Sequence, residues 1–231
     1  MMPAWVLRPG GHDQAVLDAV YSANEYQLPA DMTDWSVLDI GACFGAFSRL
    51  CAERGAAVVA YEPCPESYSL LVRNTAGLAV ARTNAAVAAA AGKASLTRTE
   101  DPAGRNVFGV GGGAGDGDEV DVVEFGDAVF WASDRGDGRG VDGPVDLVKI
   151  DAEGAEYAII EGTPADVWQK VRRLAVEFHG SYVPDWEARS EACRRRLAAL
   201  GFREVAWLET HKGKGWYRLG KWERNTGDFS P

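Results

Sequence analysis

Val37-Leu38-Asp39-Ile40-Gly41-Ala42-Cys43-Phe44-Gly45 is an apolar run that ends in a turn punctuated by glycine, and a second apolar run, residues 58–61, ends at the lone acid Glu62. An apolar run of this length followed by a tight turn predicts a buried strand feeding a helix. Glycine lets backbone approach a ligand that a Cβ would exclude, and a carboxylate at a strand end can accept hydrogen bonds from both hydroxyls of a ribose. The pairing points to a cofactor that contains adenosine. The spacing Asp-x-Gly-x-x-x-Gly lacks the early Gly-x-Gly pair and the third glycine that seat a pyrophosphate on a helix N-terminus. A phosphate-free cofactor, S-adenosylmethionine, fits that turn better than a dinucleotide. A plain strand-to-helix connection would look the same over this stretch alone, so the rest of the chain has to separate the two.

Working outward, residues 13–26 predict a leading helix, with Asp13 near its start and Val16, Leu17 and Val20 at helical spacing. Strand 37–40, helix 47–54, strand 58–61 and helix 65–74 follow, a βαβα order. Residues 78–87 read as a strand with its exit turn, and 94–97 and 119–124 as short strands. Residues 104–118 and 133–144, rich in glycine and acid, read as mobile loops, either surface linkage or cover for a ligand crevice. The second half predicts strand 145–150, a helix to about residue 162, a short helix 166–170, strand 174–178, helix 187–200 stopped by Gly201, and strands 202–209 and 216–219 joined as a hairpin at 211–215. The fold class expected is α/β, doubly wound, with a mostly parallel sheet and a terminal antiparallel pair of the kind class I methyltransferases use. A single domain spans residues 1–231: lead-in 1–35, core 36–180, and helix plus hairpin 181–231.

Ligands in such sheets bind outside the carboxyl ends of the strands, which places Asp39, Gly41, Glu62, Asn84, Asp151, Glu153, Glu177 and His179 on one rim. Side chains alternate along a strand, so Lys149 and Asp151 point the same way, as do Glu177 and His179. His179 is the candidate general base, with Glu177 or Asp151 orienting it, because an imidazole near its ordinary pKa can take a proton from a hydroxyl. A polar residue that merely ends a strand is the other reading of His179. Asp151, Glu153 and Glu156 also suit the first turn of a helix, where the dipole favours acids. Asp151, Glu177 and His179 together could offer a hard divalent ion such as Mg²⁺ two carboxylates and a nitrogen.

The stretches Val37–Ser48, Ala60–Glu66 with Leu70-Leu71-Val72-Arg73-Asn74, Asn84-Ala85-Ala86-Val87, Lys149-Ile150-Asp151-Ala152-Glu153-Gly154-Ala155-Glu156 and Val176-Glu177-Phe178-His179 resemble, in order, the FkbM family of S-adenosylmethionine-dependent methyltransferases. The resemblance implies a class I Rossmann-like fold. It places Asp39, Gly41, Ala42, Cys43 and Gly45 around the amino-acid part of the cofactor, Glu62 with Pro63 at the ribose, Asn84 and Ala85 beside the adenine, and Asp151 at the methyl-transfer centre. It also implies O-methylation of a small-molecule hydroxyl on a sugar, cyclitol or other natural-product intermediate. The chain departs from the family pattern at Cys43-Phe44 and in the glycine-rich stretch 104–118.

Of the 231 residues, 34 are acidic and 24 basic, and a net charge of −10 would repel a phosphate backbone, so no nucleic-acid partner is expected. Cys43, Cys51, Cys64 and Cys193 form no CxxC pair and read as free thiols in a reducing compartment. No secretory leader or apolar run long enough for a membrane is present, so a cytoplasmic protein with no membrane partner is expected. The composition suits a GC-rich bacterial genome, and a homodimer is the commonest assembly for such a chain. Two rival readings stand beside the enzyme. A module that holds the cofactor without turnover is disfavoured by the rim of acids and histidine, and a nicotinamide-dependent oxidoreductase by the missing Gly-x-Gly-x-x-Gly.

Overall fold

The computed structural model describes residues 4–10, 12–98, 106–109, 118–134, 143–180, 183–212 and 215–224. Helix α1 (Asp13–Leu17) widens into a π-type turn over Asp18–Ser22. There follow β1 (Ser36–Ile40), α2 (Ala46–Glu53), β2 (Ala57–Tyr61), α3 (Pro65–Asn74) and β3 (Val80–Thr83), then β4 (Ala86–Ala88), β5 (Gly92–Arg98), β6 (Asn106–Gly109), β7 (Asp118–Glu124) and α4 (Phe125–Ser133). The chain continues through β8 (Leu147–Ile150), α5 (Glu156–Gly162), α6 (Ala165–Trp168), β9 (Arg173–His179), α7 (Trp186–Ala199), β10 (Phe202–Lys212) and β11 (Gly215–Arg224).

The main sheet has seven strands in the order β10-β11-β9-β8-β1-β2-β3. Its β1–β2, β2–β3, β1–β8 and β8–β9 pairs are parallel, while β11 runs antiparallel between β9 and β10. The chain steps outward from β1 to β3 and resumes on the other side of β1 at β8, so a crevice opens at the carboxyl ends of β1 and β8. Both strands are buried along their whole length, which is why they read as continuous apolar runs. Side chains alternate between two cores: Leu38, Ile40, Val148 and Ile150 pack with α4, α5 and α7, whereas Val37 and Leu147 pack with α2 and the segment around Tyr26–Met32. The expected doubly wound α/β class is the one observed.

Several expected elements differ in detail. The leading helix stops at Ser22 rather than near 26, and left-handed backbone at Asn24 and Gln27 turns the chain back over the sheet. The strand expected over 78–87 is two strands in different sheets, because β4 leaves the main sheet to pair with β7 in a second sheet ordered β4-β7-β5-β6. Within the stretch expected to be loop, Asn106–Gly109 is a strand paired with β5, and the rest, 110–117 included, lies outside the described residues apart from Asp118 in β7. The second expected loop lies mostly outside them as well, as do the hairpin residues 213–214, flanked by the Lys212–Gly215 pair. Helix α4 was not anticipated, although Phe125, Ala128, Val129 and Ala132 bury one face at helical spacing. All four cysteines are free thiols, and among the described residues no helix is long and apolar enough to cross a membrane.

Candidate active site

Gly41 follows β1 with φ +76°, and a Cβ placed there would run into the carbonyl oxygen of Asp151, the first residue beyond β8. The two strand exits therefore touch backbone to backbone, which only glycine permits. The Gly41 and Ala42 amides both donate to the Tyr61 carbonyl at 3.0 Å, tying the turn to the end of β2. Cys43 is left-handed (φ +51°), which aims its amide at Glu62 Oε2, 2.8 Å away, while the Cys64 amide donates to Oε1 at 2.8 Å. Each carboxylate oxygen keeps one lone pair for a further donor. Burial pushes the Glu62 carboxyl up to about 7, against the two amides that favour its charged form. Glu62, only 7% exposed, lines a cavity of about 140 Å³ together with Gly41, Pro63, Ala85, Val87, Leu96 and Asp151.

A second cavity of about 70 Å³ shares Val16, Gly41, Cys43, Asp151 and Glu153 with the first and reaches Tyr26, Phe47, Lys149, Glu177 and His179. Lys149 Nζ lies 3.2 Å from Asp39 Oδ1 and 3.3 Å from Asp151 Oδ2 and donates to the Gly41 carbonyl at 3.0 Å. Burial works against its charge, but Asp39 and Asp151 outweigh that and hold its pKa above the usual lysine range. His179, 7% exposed, has Nε2 at 3.5 Å from both Asp151 Oδ1 and Glu153 Oε2, and Nδ1 at 3.3 Å from Glu156 Oε1. Burial disfavours the imidazolium; Glu153, Glu156 and Asp151 overcome it and raise His179 well above its ordinary value. Glu156 opens α5 and accepts the amides of Gly154 and His179 at 2.8 Å each, so this first-turn acid also fixes the histidine. The Tyr26 hydroxyl donates to Glu177 Oε1.

The residues expected at the site are thus sorted by depth. Gly41, Cys43, Glu62, Pro63, Ala85 and Asp151 line the first cavity; Gly41, Ala42, Cys43, Asp151, Glu177 and His179 line the second. Asp39, Gly45 and Asn84 line neither. Asp39 is fully buried behind the turn, where it accepts from Ser48 Oγ at 2.6 Å and pairs with Lys149. Gly45 (φ +92°) starts α2 against Leu71, and Asn84 Nδ2 donates to the Glu62 and Pro63 carbonyls at 2.8 and 3.0 Å. Arg8 and Tyr26 had no signal in the sequence, and Asp13 only that of a helix start; Tyr26 meets its partner across 151 positions of chain. Arg8 pairs with Asp13 at 2.6 Å and donates to Ser67 Oγ, laying the amino-terminal segment across the cleft.

Asp151, Glu177 and His179 each offer one donor atom, all within 4.8 Å of one another, so the set could hold a divalent cation. Lys149 and the Tyr26 hydroxyl already serve two of these carboxylates, so an ion there has to compete with Lys149 at Asp151 and with Tyr26 at Glu177.

A sequence profile of the family described as Methyltransferase FkbM domain matches residues 39–204. Among solved structures, magnesium protoporphyrin IX methyltransferase (ChlM) from Synechocystis PCC 6803 with bound SAM superposes with a TM-score of 0.51 at 15% identity, covering 92% of this chain and 80% of that one. The same enzyme with bound SAH gives 0.50 at 15% identity, over 92% and 83% of the two chains. At this identity the likeness is one of fold, and the sheet order above is the class I order. A comparison with curated proteins finds no match.

Proposed function

Because the chain belongs to the FkbM methyltransferase family, we propose that it transfers a methyl group from S-adenosylmethionine to a hydroxyl oxygen of a small-molecule acceptor. The observation that carries this reading is that the two cavities adjoin at Gly41 and Asp151, which line both, one walled by Glu62 and apolar side chains, the other by ionisable groups. In the first, Glu62 has two lone pairs for the ribose hydroxyls, and Ala85, Val87 and Leu96 offer an apolar wall for the adenine. Bound at the cleft, S-adenosylmethionine supplies a methyl group already activated on a sulfonium. The chain then has to hold the acceptor oxygen in line and remove its proton. Glu153, Glu156 and Asp151 favour the charged form of His179, so the acceptor's proton is taken up by Asp151 and His179 acting together across 3.5 Å, the imidazole orienting the carboxylate. This keeps the expected base at His179 with Asp151 as the partner that orients it, and Glu177, held by Tyr26, faces the acceptor from β9.

Calorimetric titration with S-adenosylhomocysteine tests the cofactor half without an acceptor. Saturable binding is expected, and Glu62→Ala should weaken it at least tenfold, since hydrogen bonds to a charged group contribute about 1.5–3 kcal/mol each. Failure of the folded wild type to bind would sink the reading. Ribose hydroxyls favour the carboxylate form of Glu62, whose folded pKa is about 7, so affinity should be full above that value. It should fall by up to about tenfold per pH unit below it. A Glu62→Gln protein should show a flat profile over the same range.

The positive charge beside Asp151 comes from Lys149 and His179, and the reaction by this route runs without a divalent ion. Turnover with an identified acceptor should survive chelation with EDTA unchanged. Loss of activity restored by Mg²⁺ would instead assign Asp151, Glu177 and His179 as ligands.

A further inference from the structure

Behind Tyr26 lies a third and larger cavity of about 330 Å³, open to the surface on one side and set against the lower parts of β8, β9 and β11. Its wall is mostly apolar, formed by Leu28, Pro29, Trp35, Leu147 and Val205 among others, but Lys221 of β11 projects into it. Lys221 is 5% exposed, and among the described residues its ammonium has one hydrogen-bond acceptor, the Glu25 carbonyl at 3.0 Å, and no carboxylate within ion-pair distance. A buried cation with so few partners is costly unless an anion joins it. Burial pulls its pKa down, and the Glu25 carboxylate, beyond ion-pair distance, offsets that only in part. At the rim Arg173 lies over the Trp35 ring at 4.5 Å and near Glu223 at 3.7 Å.

We propose that this cavity is a binding site for an amphipathic monoanion, a carboxylate with an aliphatic or aromatic body, whose head group pairs with Lys221. At the rim the charges of Arg173 and Glu223 offset each other, which leaves the single positive charge of Lys221 to match a single negative charge. The apolar wall takes the body of the ligand, and the burial of that body adds to the affinity. Tyr26 lines this cavity and the acceptor-side cavity alike, so occupancy here bears on the wall that holds Glu177. The proposal stands apart from the methyltransferase reading, because it uses neither Glu62 nor Asp151.

The test is calorimetric titration of the whole chain with octanoate, and with 1-octanol as the neutral analogue, on wild type, Lys221→Met and Lys221→Arg. Cooperative thermal unfolding checks that each variant is folded. Octanoate is expected to bind one site, at least tenfold more tightly than octanol, with at least a tenfold loss in Lys221→Met and retention in Lys221→Arg. S-adenosylhomocysteine at saturation should not displace it. Equal affinity for octanol and octanoate, unchanged binding in a folded Lys221→Met, displacement by S-adenosylhomocysteine, or no octanoate binding would each overturn the proposal. Should Lys221→Met fail to fold, the octanol comparison and Lys221→Arg still decide it.

Discussion

An Asp151→Asn protein is expected to bind S-adenosylhomocysteine within a few fold of wild type yet turn over about 10²–10⁴-fold more slowly, the usual contribution of a positioned proton acceptor. The substitution keeps the size of the side chain and the backbone carbonyl that Gly41 packs against, and it removes the charge that faces Lys149 at 3.3 Å and His179 at 3.5 Å. Two consequences separate a chemical role from a structural one. The imidazolium loses one of three acids that raise its pKa, so the alkaline limb of the pH–rate profile should move down toward the ordinary histidine range. Stability should change in the same sense: a raised histidine stabilises the fold fully below its unfolded pKa and loses that contribution as pH rises through the folded one. Asn at 151 shrinks this window from above. Single-turnover methyl transfer with wild-type rate in the variant would remove Asp151 from the chemistry.

Gly41→Ala should do more damage to the fold than any exchange on the site's walls. Its φ of +76° imposes left-handed backbone on the alanine, and the new Cβ meets the Asp151 carbonyl head-on. The backbone term costs about 1–3 kcal/mol and the forced separation of β1 and β8 about 1–3 kcal/mol more. A loss of about 2–6 kcal/mol is a large part of the stability of an ordinary domain. Gly77→Ala is the control, since Gly77 has φ +78° but nothing within 4 Å of an added Cβ, and it should show the backbone term alone. Chemical denaturation of the two variants measures the difference, and equal losses would mean that the strand exits can part without cost. A Gly41→Ala protein that remains folded should also lose turnover, because Asp151 moves with the displaced strand exit.

Much of the arrangement around β1 and β8 was legible because local rules and the tertiary structure agree there. Residues 37–40 and 147–150 are buried on both faces and so lack the polar alternation that would have blurred them. Where the chain changes sheets at Asn84-Ala85, no local property announces it: the residues on either side suit a strand equally well, and the break depends on Asn84 reaching the Glu62 and Pro63 carbonyls. Helix α4 was legible in principle through its 3.6-residue burial pattern, but its apolar stretch, residues 128–132, looks the same as a strand over a short window.

His179 shows the limit for chemistry. Its place at the end of β9 followed from strand spacing, whereas its charge depends on Asp151, Glu153 and Glu156 arriving from another strand exit and turn. Sequence alone thus determined the α/β class, the order of the main strands, and which residues stand at their carboxyl ends, since these follow from periodicity and from what glycine and buried strands permit. Only the tertiary structure decided which of those residues face a cavity and which brace it from behind, how the segment from Arg8 to Tyr26 closes over them, and which protons they carry. Burial and through-space charge set those properties, and both depend on groups far apart in the chain that share a low-dielectric site only after folding.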